Sequence, residues 1–447
     1  MALADSTLRR VKNNVIFRAF LLGALIVTLQ FPILAIESLI YERSQSRREA
    51  EADIGRTWGP SQTVLGPVLS VPFRIRWVDE KGRTREDIAA SYFLPQQLDI
   101  NGSVKTEKRY RGIFEVPVYT TEITFAGSFS RPSFADMNVS PDDVLWDRAT
   151  ISLSLDSPRS IRDTVVLQWD GAKTNFESGL LPSRAGEQGI HAPVQGLQGG
   201  SDKHSFSVVL SMSGSSQLRF IPIGGETNVT LSSEWPDPGF DGDYLPITRE
   251  VTAKGFNAHW KVLALGRGFP DHWTSREGAP QALHASAFGV SLLSPVDSYR
   301  MNDRLIKYEL LIVFLTFLTF YLFEVFNRFF IHPVQYLLVG AGLCLFYLLC
   351  LSFSEHVGFG AAYLIASGAV VTLICGYSAF VLRSRLRATI LGAVVVSQYG
   401  YFYVLLQEQD YALLLGSIGL TLVLGVIMYI TRNIDWYNIG ESAEQPA

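Results

Sequence analysis

Four titratable side chains in two short polar turns are the residues best placed to do chemistry. Glu355 and His356 stand side by side where one apolar run ends, and Glu408 and Asp410 flank Gln409 where another ends. Carboxylates beside an imidazole can move a proton, hold a cation or respond to pH, because histidine titrates near neutrality. These roles require the elements carrying the two turns to bring them together. The plainer reading is that a turn between membrane spans must be polar to leave the bilayer. A second candidate is the turn-dense stretch 235–242, where Trp235, Phe240 and Asp241 suit a partner-binding rim. A structural corner is the commoner use of so much proline and glycine.

Elsewhere no catalytic motif is assembled. The seven histidines are scattered, and the chain has no His-Glu-x-x-His, Cys-x-x-Cys, Gly-x-Ser-x-Gly or Walker A pattern. No metal, cofactor or catalytic residue is therefore expected, and the chain reads as a non-enzyme. A net charge of -4 and a pI near 6.0 argue against a nucleic-acid partner, which calls for a basic surface. The three cysteines, Cys344, Cys350 and Cys375, all lie in apolar runs, so the large polar segment must be stable without a disulfide.

The elements that position these residues follow from hydropathy. The chain is 48% hydrophobic and 18% charged with a mean hydropathy of +0.18, too polar to be membrane throughout, so its apolar residues must be segregated. Residues 1–18 are short and basic, with Arg9, Arg10, Lys12 and Arg18, and 19–36 form an apolar run with Pro32 near its far end. No small-x-small cleavage site follows, so the run reads as a retained signal anchor rather than a removed leader. Residues 37–57 continue as a polar helical stalk. Five more runs, at 308–326, 333–353, 357–381, 388–406 and 411–430, are each long enough to span a bilayer, which makes six spans in all.

Residues 58–307 change character. Phe206, Val208, Leu210 and Met212 alternate with other residues, as do Ile151, Leu153 and Leu155, and Phe256, Ala258 and Trp260. That period of two marks half-buried strands, and short strands broken by turns predict a β-rich, antiparallel, sandwich-like domain. The expected order is a cytoplasmic N-terminus (1–18), an anchor (19–36), a stalk (37–57), a periplasmic β domain (58–307), a five-helix bundle (308–430) and a cytoplasmic tail (431–447). Arg328, then Arg383, Arg385 and Arg387, then Arg432 fall on one side, whereas the turns at 354–356 and 407–410 carry no Lys or Arg. By the positive-inside rule both termini are cytoplasmic.

Ionisable groups within the spans are costly and invite a functional reading. Glu324 is expected to pair with Arg328 four residues on, and Glu309 to reach the surface or pair with Lys307. Gln398 is the clearest mid-span polar residue, with Thr372 and Ser367 weaker. Small residues at four-residue spacing, Gly368, Thr372 and Gly376, then Ala362 and Ala366, then Gly340 and Cys344, suit close helix approach.

Several stretches together carry a family resemblance. They are LPQQLD at 94–99, KRYRGIFEVPVY at 108–119, SSEWP at 232–236, PVDSY at 295–299, IHPVQYLLVG at 331–340, SEH at 354–356, DYALLLGS at 410–417 and TRNIDWY at 431–437. From about residue 58 to 437 the chain resembles the CreD family of Gram-negative inner-membrane, cell-envelope integrity proteins. The resemblance implies an inner-membrane component of envelope-stress responses, including those to β-lactams and certain colicins, with expression linked to a two-component sensor. It supplies no catalytic residues. The expected function is non-catalytic binding or sensing through the periplasmic domain, with the lipid bilayer and a periplasmic or inner-membrane protein as partners. The alternative is a lipid or small-molecule transporter or lipid-handling protein with the bundle as conduit. A third reading, an enzyme at the outer surface, would use Glu355, His356, Glu408 or Asp410 as acid and base.

Overall fold

A computed structural model describes residues 15–78, 81, 83–137, 139–180, 188–199, 201–292, 298–327, 331–382, 384–408 and 411–432. The chain forms two compact units, Arg47–Pro295 and Met1–Ser46 with Val296–Ala447.

In the helical unit, the described residues hold six helices long and apolar enough to cross a membrane, one N-terminal and five C-terminal. A chain in lipid must satisfy its backbone hydrogen bonds internally, which favours helix wherever the sequence is continuously apolar. Helix α1 (Val15–Trp58) takes Pro32 within its length. A short amphipathic helix, α2 (Ser298–Ile306), precedes α3 (Glu309–Asn327) and α4 (Pro333–Val357). The chain continues through α5 (Phe359–Val381), α6 (Arg385–Gln407) and α7 (Ala412–Thr431). Helix α4 starts on a reciprocal cap. The His332 ring accepts from the Val334 amide at 3.3 Å, the Gln335 side chain accepts from the His332 amide at 3.0 Å, and Pro333 fills the first helical position. At its other end a single residue, Gly358 with φ 77°, turns the chain into α5, a conformation that favours glycine.

Helices in lipid gain little from apolar burial against one another, so close packing and polar contacts hold the bundle. Gly340 of α4 lets Leu29 of α1 approach so closely that a Cβ there would lie 2.3 Å from a leucine methyl. On α5, Ala362, Ala366, Val370 and Ile374 are buried. The stripe of Gly368, Thr372 and Gly376 faces outward, and added Cβ atoms on its two glycines would meet nothing within 4 Å. Phe346 centres an aromatic cluster with Tyr399 at 4.6 Å and Tyr363 at 5.3 Å, and the Tyr363 hydroxyl donates to the Tyr399 carbonyl at 2.7 Å. No residue of α7 is buried by protein.

The other unit is a predominantly antiparallel β domain of two sheets, one nine-stranded and one eight-stranded. Among the described residues two pairings are parallel, 62–64 with 218–220 and 97–104 with 226–233. The period-two pattern decides which side chains enter the core: Phe206, Val208, Leu210 and Met212 are all buried on one strand, and Phe256, Ala258 and Trp260 on another. The sheets meet through a large apolar core, with Phe125 against Phe220 at 6.4 Å and Phe240 against Trp260 at 5.7 Å. Each large buried side chain contributes about 1.5–3 kcal/mol.

Trp58, at the end of α1, is fixed within this unit. Its indole N–H donates to the Tyr119 carbonyl at 3.2 Å, and the guanidinium groups of Arg109 and Arg162 each lie 4.3 Å from its ring centre. Ile54, Val116 and Val118 close an apolar cluster against it. Gly59 then stops the helix at φ 140°, where a Cβ would lie 2.6 Å from the Ser213 carbonyl oxygen.

Candidate functional site

At one end of the bundle, Glu355 sits in the last turn of α4 with its side chain only 8% exposed. The Tyr299 hydroxyl donates to it at 2.9 Å, and the Arg43 Nε lies 3.6 Å away. One residue earlier, Ser354 Oγ accepts from the Asn302 amide at 2.9 Å and donates to the Leu351 carbonyl at 2.8 Å. The arrangement follows from the spacing of α2. Tyr299, Asn302, Leu305 and Ile306 share its buried face, while Arg300 and Arg304 lie off it and Lys307 follows its end. The carboxylate is thus held by α1 and α2 together, as an acceptor with a fixed donor and a nearby cation. That chemistry orients and stores charge.

The other candidates from the two turns are placed differently. His356 is exposed. Glu408 follows α6 and is exposed, and its backbone carbonyl accepts from Arg304 at 3.3 Å. Asp410 lies outside the described residues. Helix α2 touches both turns, through Tyr299 and Asn302 at the first and Arg304 at the second. Among the described residues no three His, Cys, Asp or Glu side chains converge as a metal site.

At the opposite end of α4 lies a second buried carboxylate. Glu324 of α3 is 3% exposed, pairs with Arg18 of α1 at 2.9 Å and accepts from the Tyr336 hydroxyl of α4 at 2.9 Å. The expected partner, Arg328, lies outside the described residues; the partner observed is 306 residues distant in sequence. Tyr336 is in turn set by Phe317 and Phe320, at 5.5 and 6.0 Å.

Between these two levels, Glu309 opens α3 as a buried residue. It does not reach Lys307, which pairs with Asp303 at 2.7 Å. It faces Gln30 of α1, and its Oε2 and the Gln30 Nε2 have no hydrogen-bond partner among the described residues. Gln398 accepts from Thr316 at 3.1 Å, whereas Thr372 and Ser367 bond to their own helix.

In the β domain, the three rim candidates are engaged by the domain's own packing. Trp235 is buried and donates to the Asp237 carbonyl at 3.1 Å. Phe240 lies on an edge strand, Pro238–Gly242, with its ring against Phe256 and Trp260, each at 5.7 Å. Asp241 accepts from Arg219 at 3.0 Å and from the Ser291 hydroxyl. Two further charge sites hold this unit. Arg267 is buried and donates to the carbonyls of Ile223, Gly224 and Phe269 and to Asp271; burial pulls its pKa down, and Asp271 pushes back. Asp170 closes a hairpin. Burial alone would raise its pKa, but hydrogen bonds from His204 and Ser205, with the His204 charge, outweigh that and hold it below the ordinary value.

Several residues of these networks, Arg43, Asn302, Arg18 and Tyr336 among them, were not legible as a site in the sequence. Only the polar Asn302 on the apolar face of an amphipathic helix offered a signal.

Six apolar helices among the described residues, the first four of the chain's helices tied by buried carboxylates at the two ends of α4, with a two-sheet β domain inserted after the first, define an integral membrane protein that carries a large polar domain. The family model described as Inner membrane protein CreD matches residues 14–437. The chain is 32% identical over 422 residues to Inner membrane protein CreD of Escherichia coli (strain K12), covering 93% of this chain and 92% of that protein. The chain belongs to the CreD family.

Proposed function

We propose that this protein contributes to envelope integrity and the envelope-stress response, including the response to β-lactams, by non-catalytic binding or sensing through a periplasmic β domain. The observation that carries this reading is the engagement of Glu355: the acid best placed for chemistry is committed to Tyr299 and Arg43. A carboxylate so held suits positioning better than proton transfer, which needs a group free to exchange its proton with a substrate. Deletion of the protein is expected to change survival under detergent, lysozyme or β-lactam. Complementation is expected to survive His356→Ala and Glu408→Ala and to fail on removal of the β domain. Wild-type survival of the deletion strain in all three challenges would refute the proposal.

In this reading both termini are cytoplasmic. Arg385, Arg387 and Arg432 lie at the turns on that side, and the turns carrying Glu355 and Glu408 lie on the other. A membrane-impermeant maleimide applied to intact spheroplasts is then expected to label Leu265→Cys, at a position 98% exposed in the β domain. Gln445→Cys is expected to label only after permeabilisation. Arg300, Arg304 and Lys307 belong to the Glu355 end of the bundle, against the charge bias that sets this orientation, and so call for a separate explanation.

A further inference from the structure

Arg300, Arg304, Lys307 and Tyr308 line an open cleft of about 390 Å³ together with Ala412, the first residue of α7. The described lining carries three cations and no carboxylate. Arg300 and Arg304 lie one turn apart on α2, about 6 Å at 1.5 Å per residue, and Lys307 follows in the turn just past its end. Lys307 is bonded to Asp303 at 2.7 Å, and Arg304 donates to the Glu408 carbonyl at 3.3 Å. Tyr308 packs against Phe402 at 5.9 Å. The buried face of α2, with Tyr299, Asn302, Leu305 and Ile306, packs into the bundle, and the cations lie off that face.

We propose that this cleft binds the phosphate headgroup of an anionic phospholipid. Three features point to that ligand. Clustered Lys and Arg on an amphipathic helix at the bilayer edge attract anionic headgroups. The N-terminus of α7 adds amide groups and a positive dipole end where a phosphate would sit. The cleft also opens beside a helix with no residue buried by protein, so a molecule seated there has hydrocarbon alongside for its acyl chains. A free anion would leave that second half of the site unused. The inference goes beyond the proposed function and does not depend on which side of the membrane the cleft faces, only on the helices standing in lipid.

The test uses the full-length protein in detergent with phosphatidylglycerol or phosphatidylcholine titrated in, and native mass spectrometry to count retained lipids. Wild type is expected to retain phosphatidylglycerol over phosphatidylcholine. Arg300→Gln is expected to weaken phosphatidylglycerol retention about fivefold, and Arg300→Gln with Lys307→Gln about 25-fold, at roughly 1 kcal/mol per cation. Arg300→Lys should retain most of the binding, and salt should reduce it. Equal retention of the two lipids by wild type would overturn the proposal without reference to any variant. So would a folded double variant, with an unchanged unfolding midpoint, that retains as much lipid as wild type. Displacement of phosphatidylglycerol by millimolar inorganic phosphate would assign the cleft to a free anion instead and equally overturn it.

Discussion

The Tyr299 hydroxyl donates to a Glu355 carboxylate oxygen at 2.9 Å, joining two helices across 56 residues of sequence. A hydrogen bond to a charged group contributes about 1.5–3 kcal/mol, and more of it survives where water is scarce. Tyr299→Phe removes the donor and keeps the ring. It is expected to lower the unfolding free energy of the purified protein in detergent by about 1.5–3 kcal/mol, read from denaturant unfolding. Glu355→Gln should cost a similar amount, and the double variant less than the sum. Strict additivity would mean that the two groups are not coupled.

Glu324 predicts a larger and more asymmetric effect. Removing one partner of a buried ion pair strands the other, at about 3–5 kcal/mol, whereas removing both is far cheaper. Arg18→Met should therefore destabilise the bundle strongly, and Arg18→Met with Glu324→Gln should recover much of the loss. The readout is the unfolding midpoint of the two variants, and a double variant no better than the single one would show that Arg18 acts through packing alone.

These two networks mark where sequence reasoning reached and where it stopped. The six spans and the β domain were legible because each rests on a local signal: uninterrupted apolar runs for the helices, and alternation for strands such as Lys203–Ser215. Partners were not. Arg328 is the natural local choice for Glu324, and nothing in the spacing announces Arg18, because which helices adjoin is a property of the packed bundle. In the same way Gly368, Thr372 and Gly376 match the small-residue pattern yet face outward, since a stripe records what could pack closely and not which face does. The polar stalk expected over 37–57 does end at Trp58, but the two arginines over the indole come from strands and turns far along the chain.

Arg267 is a stability determinant of the β domain. Its guanidinium answers the carbonyls of Ile223, Gly224 and Phe269 from a buried position. Arg267→Met fills similar space but leaves those acceptors unpaired, at about 1–3 kcal/mol for each one that water cannot reach. The full-length variant is expected to show faster limited proteolysis within the β domain, with the helical unit unchanged.

The hairpin at Asp170 gives the domain an acid-sensitive contribution. Its carboxyl is held below the ordinary value of 3.8, so the stabilisation is fully present above about that pH and is lost as pH falls through the lower folded value. Because the side chain is 41% exposed, solvent screening reduces the contribution to about 1 kcal/mol. Asp170→Asn is expected to lower stability at neutral pH by about that amount, and the difference from wild type is expected to close as pH falls through the lowered folded value. Parallel curves offset equally at all pH values would assign the effect to packing.

Trp58 offers a test confined to the β unit. Its ring lies under Arg109 and Arg162, and its N–H is bonded to the Tyr119 carbonyl. Each cation–π contact contributes about 0.5–1 kcal/mol at a partly exposed site, and the hydrogen bond about 1 kcal/mol. Trp58→Leu keeps an apolar side chain against Ile54, Val116 and Val118 but loses all three interactions. Amide exchange at residues 55–59 and at Val116, Val118 and Tyr119 is then expected to accelerate by about 30- to 150-fold, because local opening becomes cheaper by about 2–3 kcal/mol. Trp58→Phe, which keeps a π face and loses only the indole donor, should fall between the two. If Trp58→Phe exchanged as fast as Trp58→Leu, the arginines would be adding nothing, and the indole hydrogen bond alone would anchor the end of α1.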